Sequence, residues 1–415
     1  MERMFLIIGY SLLACALLAC LIFGVRRLRP GLVLSSAFIL VYLVVRPLML
    51  LTGFYGSFAL LHPLPPRWAP ADLWRPMIFT VCISIAFGIG YLSSVPQILI
   101  QKMTWLFSTN VKNVRVTCAV TVIALLAFAL GREVEVAVLT LGYGYLLFVV
   151  SVILLRKSTS SYYWLSIIGA LVLAATALIL TKERRDWAVA MYVIGWVLVL
   201  LKLTSVTSRS AIGVVMLAMV AFVAVALRTA GSVVERLEGA TQRRAVLAIV
   251  EWELDFPLVY DDLVLLFRQV PKRNEYLYGQ SLTKPFVAWV PRDLWPGKPE
   301  TFSKQVSRTF NPTFYRNGGS EPLTFVGELY WNFGWLAFPF GVLLGYLQAI
   351  FDAIYRTGQL LGNLAPQVGG AVRAGGLVLS AMTFYLLRGP LDTVWLCYAG
   401  FLACLWICVS LRRMV

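Results

Sequence analysis

The chain has 415 residues, of which 60% are hydrophobic and 13% charged, and its formal net charge is +16. Ordinary soluble domains are about half apolar and about a quarter charged, so this composition excludes them and indicates a polytopic membrane protein. The apolar runs are continuous over roughly 17–25 residues, which is typical of spanning helices and excludes the alternating pattern of a membrane β-barrel. The positive charge is expected in cytoplasmic loops, so no nucleic acid is expected as a partner.

We predict an all-α fold with about eleven transmembrane helices, within a range of ten to twelve. The first apolar run is interpreted as a retained helix and not as a signal peptide, because its basic cluster follows the apolar stretch. The predicted spans cover residues 4–24, 31–52, 76–95, 116–131, 136–155, 163–181, 187–204, 211–227, 325–349, 374–388 and 392–411.

Basic residues after the first, third and fifth predicted spans indicate that these loops are cytoplasmic. They are Arg26, Arg27 and Arg29, then Lys102, Lys112 and Arg115, then Arg156 and Lys157. This parity predicts that residues 53–75 and 228–324 are extracytoplasmic, although the basic segment 182–186 disagrees with it. The chain then divides into N-terminal helices (1–227), a large periplasmic loop (228–324) and C-terminal helices (325–415).

Within residues 229–270, the stretch 245–270 carries five acids among apolar positions, too many for a helix that faces lipid. We predict an amphipathic helix or helix pair at the membrane surface, broken near Pro257. The acids are expected on solvated faces or paired with Arg243 and Arg244. They are Glu251, Glu253, Asp255, Asp261 and Asp262.

From residue 268 to residue 316 there are nine basic residues and three acids, an excess that favours an anionic ligand. Guanidinium groups bind diphosphate through forked hydrogen bonds, and lysine adds a point charge. Arg292 and Lys298 lie in PRDLWPGKP, where the prolines restrict the backbone. The alternative is a basic rim that meets anionic lipid headgroups.

Charged residues within or beside apolar spans form a second group. Arg46, Arg209 and Arg388 are either functional or extended toward the interface. Glu328 begins an apolar helix and is a candidate general base, with Glu321 and Glu300 as alternatives, or it is a structural partner of an arginine. His62, the single histidine, is interpreted as a loop residue. Candidate sugar-stacking aromatics, which a membrane-interface belt would equally explain, are Trp289, Trp295, Tyr315, Tyr330 and Trp331.

The loop Gly279–Pro299 with its VPRDLWPGKP core, followed by EPLTFVGELYWNFG, resembles the O-antigen polymerase (Wzy) and oligosaccharide repeat-unit polymerase family. The pairs Arg46-Pro47 and Arg388-Gly389 and the triplet at 207–209 are similar to that family as well. The resemblance implies a GT-C-like glycosyltransferase of the bacterial inner membrane that acts at the periplasmic face. Its donor would be an undecaprenyl-diphosphate-linked oligosaccharide, with no cofactor, nucleotide sugar or metal.

By this resemblance the growing glycan moves en bloc onto a second lipid-linked unit, with a chain-length-regulating co-polymerase as a partner beside membrane lipid. Glu328 and Arg292 are the predicted catalytic residues. The predicted diphosphate-binding or glycan-binding residues are Arg292, Lys298, Arg268, Arg316, Arg46, Arg209 and Arg388. A ligase, which is expected to use a histidine in the large loop, and a lipid-linked glycan flippase or exporter are the alternatives.

Overall fold

The computed structural model describes residues 2–52, 68–111, 256–287, 290, 294–321, 323–364 and 366–388, and this part of the chain is helical without any strand. The helices are α1 (Glu2–Arg26), α2 (Pro30–Ile39), a π-helix (Leu40–Val45), α3 (Arg46–Thr52), α4 (Pro70–Leu92), α5 (Gln97–Val111), α6 (Phe256–Gln269), α7 (Gln280–Val287), α8 (Phe302–Phe310), α9 (Pro312–Arg316), α10 (Phe325–Phe333), a 3₁₀ turn (Gly334–Ala337), α11 (Phe338–Leu364) and α12 (Pro366–Arg388).

Among the described residues, four helical segments are long and apolar enough to cross a membrane. They are Glu2–Arg26, Pro30–Thr52, Pro70–Leu92 and Phe325–Leu361. The first three agree with the first three predicted spans, so the prediction of a helical membrane protein is confirmed at this level. The predicted spans between 116 and 227, and the last one at 392–411, lie outside the described residues.

α4 and α11 cross at very short range because small residues face each other. A Cβ on Gly90 would lie 1.9 Å from the carbonyl oxygen of Val342, and one on Gly345 would lie 2.0 Å from that of Phe87. Gly341 meets the methyl group of Ala86 in the same crossing. Small residues four apart on both helices therefore let the two backbones touch, which is how membrane helices gain packing energy without a hydrophobic driving force.

The long helices run between two ends of the bundle. At one, which we call the Asp352 end, the buried carboxylate of Asp352 accepts hydrogen bonds from the amides of Gly31 (2.7 Å) and Leu32 (3.2 Å) and from the hydroxyl of Tyr91 (2.7 Å). This end therefore gathers the start of α2, the end of α4 and the middle of α11. The carboxylate satisfies the first amides of α2, which have no partner within the helix.

At the opposite end, which we call the Arg46 end, the N-terminal helices meet α6. Arg3 donates to the carbonyl of Leu51 at 2.6 Å, and the hydroxyls of Tyr10 and Tyr260 lie 2.5 Å apart. α10 packs beside α6, since the rings of Phe267 and Tyr330 stack with their centroids 3.7 Å apart. The described residues between 256 and 333 are thus built onto the Arg46 end.

The predicted boundaries agree with the structure in part. The predicted span 325–349 falls within the apolar segment Phe325–Leu361, but Gly334, whose φ is 56°, ends α10 there and separates it from α11. The tenth predicted span, 374–388, corresponds to the apolar part Gly375–Arg388 of α12, and the helix itself begins earlier, at Pro366. Lys102, which was assigned to a cytoplasmic loop, lies in the 15-residue helix α5.

α6 begins at Phe256, and the residues just before it lie outside the described part of the chain, so the break predicted near Pro257 stays a prediction. Several of its apolar side chains are fully buried, among them Tyr260, Leu263 and Phe267. The described part of the 229–270 stretch therefore packs one face against the protein core.

Candidate functional site

Arg46 opens α3 directly after the π-helix. Pro47 explains the irregular turn, because proline lacks an amide donor and its ring crowds the carbonyl four residues earlier, at Leu43. The chain accommodates this by a wider turn over Leu40–Val45. Such π-helical turns recur at functional sites, since they redirect a side chain at the cost of regular hydrogen bonding.

The side chain of Arg46 is fully buried and forms an ion pair with Asp261 of α6. Its Nη2 donates to Asp261 Oδ2 at 3.0 Å, and Trp68 Nε1 donates to the other oxygen, also at 3.0 Å. Burial raises the pKa of Asp261, while the Arg46 guanidinium and the indole N–H oppose that rise. Arg46 therefore does not extend to the interface, which was one of its two interpretations, and Asp261 is not on a solvated face, whereas Arg243 and Arg244 lie outside the described residues.

Arg388, the last residue of α12, lies in the same region. It is buried, and its guanidinium carbon lies 5.4 Å from the ring centroid of Tyr42, a cation–π contact. Tyr42 is one helical turn before Arg46. Two arginines from opposite parts of the sequence are therefore brought to the Arg46 end, and neither reaches solvent in this conformation.

Glu328 is fully buried in the first turn of α10. The hydroxyl of Ser281 donates to Glu328 Oε1 at 2.6 Å, and Asn332, one turn later, donates to the oxygen of Ser281 at 2.7 Å. The same amide nitrogen donates to the carbonyl of Glu328 at 2.8 Å. Ser281, Glu328 and Asn332 thus form a buried polar cluster, which we call the Glu328 cluster.

The turn before α7 is bound to the end of α10. The amides of Leu277 and Tyr278 donate to the carbonyls of Trp331 (2.9 Å) and Asn332 (3.1 Å), and the amide of Gly279 donates to Asn332 Oδ1 at 3.0 Å. These carbonyls at the end of α10 have no partner within the helix, so the turn caps it. The cap fixes α7, and with it Ser281, against Glu328.

The cations of the 268–316 segment have different surroundings. Arg268 and Arg316 are exposed, whereas Lys298 is half-buried and donates to the carbonyl of Val290 at 2.7 Å. That bond joins residue 298 to residue 290. Arg308 forms a partly exposed ion pair with Glu300 at 3.2 Å. Arg268 and Arg316 therefore present their charge to the outside of the protein, as an anion-binding role requires.

The aromatic candidates divide in the same way. Tyr330 and Trp331 are buried, so in this structure neither presents a face to a sugar. Trp295 is 40% exposed, and the hydroxyl of Tyr315 donates to Glu300 at 2.5 Å. Arg292, Arg209, His62 and Trp289, which were also singled out from the sequence, lie outside the described residues.

Sequence reasoning missed four contributors, namely Trp68, Asp261, Ser281 and Asn332. Asp261 carried a signal, an acid in an apolar stretch, but its partner is 215 residues away. Ser281 and Asn332 are common residue types with no special spacing. In the part of the chain that the structure describes, no group of three His, Cys, Asp or Glu side chains is arranged to hold a metal ion.

Comparison with known proteins gave no match to a family model, a curated protein or a solved structure.

Proposed function

We propose that the protein is a polymerase of undecaprenyl-diphosphate-linked oligosaccharide repeat units, and that it transfers the growing glycan en bloc to an acceptor sugar hydroxyl. The proposal includes about eleven spans in the bacterial inner membrane, with residues 228–324 forming an external loop over the site on the periplasmic side. It also includes a chain-length-regulating co-polymerase as a partner.

The observation that carries the proposal is the burial of Arg46, Arg388 and Glu328 in helices that meet at the Arg46 end. A charge buried at membrane depth costs several kcal/mol, so such residues are by default functional. These are also positions at which the sequence resembles the polymerase family. The helices that carry these three residues pack together, which supports a common site.

In the proposed reaction, an acceptor hydroxyl oxygen attacks the anomeric carbon of the donor glycan. The bond from that carbon to undecaprenyl diphosphate breaks with inversion, and the electron pair leaves with the diphosphate. Arg292 and Lys298 would stabilise the charge that develops on the leaving group, with exposed Arg268 and Arg316 attracting the donor. Positive potential would also come from Arg46, Arg209 and Arg388.

Glu328 is proposed to take the proton of the acceptor hydroxyl. It already accepts a hydrogen bond from a hydroxyl group, that of Ser281, at 2.6 Å. An acceptor sugar hydroxyl that replaced Ser281 would be within reach for proton transfer. This role requires α7 to move aside, because the carboxylate is enclosed as it stands.

The test is reconstitution of the purified protein in vesicles with lipid-linked repeat unit as the only substrate, followed by electrophoresis of the glycan. A polymerase makes a ladder, a ligase leaves the substrate unchanged, and a flippase moves labelled substrate across the membrane without consuming it. Arg292→Ala is expected to abolish the ladder, whereas Arg308→Gln, which breaks only the partly exposed pair with Glu300, leaves it intact. A normal ladder from Arg292→Ala removes Arg292 from the site.

A further inference from the structure

The ring of Tyr278 is presented to the outside beside the Glu328 cluster. The residue is 77% exposed, in a segment where the neighbouring aromatics Tyr330 and Trp331 are buried. Three residues later, Ser281 contacts Glu328. Tyr278 is therefore an exposed aromatic side chain attached to the same turn that holds the candidate general base.

The backbone of Tyr278 is in a conformation that tyrosine rarely adopts. Its φ is 47°, in the left-handed region, where a Cβ is crowded by the following carbonyl. Glycine follows directly, with a φ of 87°. Hydrogen bonds from the amides of Tyr278 and Gly279 to Asn332 hold both residues in place. Strain of this kind persists where surrounding structure enforces it, and it is concentrated at functional sites.

The orientation of the ring is fixed from one side. Tyr276 packs against it at an interplanar angle of 72°, with the centroids 6.2 Å apart, and Tyr276 itself packs on Tyr330. This edge-to-face arrangement leaves the ring of Tyr278 braced and outward-facing. A rigid, exposed aromatic ring binds ligands with little loss of side-chain entropy.

We propose that Tyr278 is a stacking platform for a pyranose ring of the lipid-linked glycan, so that it positions the sugar next to the Glu328 cluster. The C–H-rich face of a pyranose is apolar and packs on an aromatic face, whichever sugar it belongs to. This inference rests on the proposed function, because it takes its ligand class from there. The competing explanation is an aromatic of the membrane interface, which would need neither the left-handed backbone nor the link to Glu328.

The experiment measures retention of lipid-linked oligosaccharides, extracted from the cells that make the protein, on immobilised full-length protein in detergent. Tyr278→Ala and Tyr278→Gly are expected to lower the affinity about tenfold, and Tyr278→Phe by no more than about twofold, since the ring is kept. Phe338→Ala is the matched control, because Phe338 is an exposed aromatic at the start of α11. It is expected to bind as the wild type does.

Tyr278→Gly also separates binding from folding. Glycine adopts the left-handed conformation without strain, so its Tm should equal or exceed that of the wild type while its affinity falls. Wild-type affinity in Tyr278→Ala, or an equal loss in Phe338→Ala, overturns the inference. So does a wild-type protein that retains no glycolipid.

The outcomes for the two proposals can be told apart. If glycolipid retention depends on Tyr278 but no ladder forms in the polymerisation assay, the polymerase proposal is contradicted and the stacking role of Tyr278 stands. If a ladder forms, and neither its formation nor glycolipid retention depends on Tyr278, the stacking role is contradicted and the polymerase proposal stands.

Discussion

Arg46 and Asp261 form a charge pair with almost no solvent contact. Arg46→Met is expected to destabilise the protein by about 3–5 kcal/mol, because it leaves a buried carboxylate without its cation. The folded-state pKa of Asp261, already raised by burial, should then rise further. Since the folded protein binds the proton more tightly than the unfolded chain, stability is lost as the pH rises through that pKa. Thermal unfolding in detergent between about pH 5 and 8 measures this.

Adding Asp261→Asn to Arg46→Met should restore most of the stability and abolish its pH dependence, because buried pairs can often be replaced by neutral groups without loss. Arg308→Met is the control, since its pair with Glu300 is partly exposed and such pairs contribute about 0–1 kcal/mol. A single Arg46→Met variant as stable as the wild type at high pH would contradict the structural role of the pair.

At this scale the sequence predicted which residues are unusual but not what they contact. Arg46, Arg388 and Glu328 stood out because charges in apolar segments are costly. Their partners could not be found, because Asp261 and Ser281 come close to Arg46 and Glu328 only through the packing of α6 and α7. Whether these residues bind a diphosphate or transfer a proton stays a prediction.

At the scale of helices, the effect of substituting a glycine of α4 depends on whether that glycine faces α11. Gly90→Ala is expected to destabilise the protein by about 1–3 kcal/mol or more, because its Cβ would overlap the carbonyl of Val342. Gly88→Ala, two residues away, meets nothing within 4 Å and should stabilise α4 by up to about 1 kcal/mol. Comparing Tm for the two variants checks this, and equal effects would contradict the close crossing.

The cap on α10 gives a second prediction for an element. Asn332→Ala removes the hydrogen bonds to the amide of Gly279 and to Ser281, so a loss of about 1–3 kcal/mol is expected. Hydrogen exchange should show faster exchange at residues 277–281 and unchanged exchange in α4. Unchanged protection of that turn would mean that Asn332 does not hold it.

Helix positions were predictable where hydrophobicity alone decides them, as in α1 and α4. Helix boundaries were not predictable where a single backbone angle determines the end of a helix. Residues 325–349 are mostly apolar on both sides of Gly334, so hydropathy does not mark this glycine, whose positive φ separates α10 from α11. α5 was missed because Lys102 was used only to assign a cytoplasmic loop.

At the scale of the whole molecule, Trp68, just before α4, and α6 lie at the same end of the bundle, since Trp68 contacts Asp261. The side of the membrane that this end faces stays a prediction. Cysteine substituted for exposed Leu294 should react with an impermeant maleimide in intact spheroplasts, and cysteine at exposed Lys102 only after lysis. Labelling of Leu294→Cys only after lysis would place the donor site in the cytosol.

The cap that Asp352 provides for α2 has a consequence for synthesis of the protein. The amides of Gly31 and Leu32 enter the membrane early, yet the carboxylate that binds them is encoded 320 residues after Leu32. At ribosomal elongation rates of about 5–20 residues per second, on the order of 15–60 s pass before it is made. During that interval the second helix must satisfy its leading amides elsewhere, from water or lipid phosphates at the bilayer edge. The N-terminal helices therefore reach their final arrangement only after residue 352 has been synthesised.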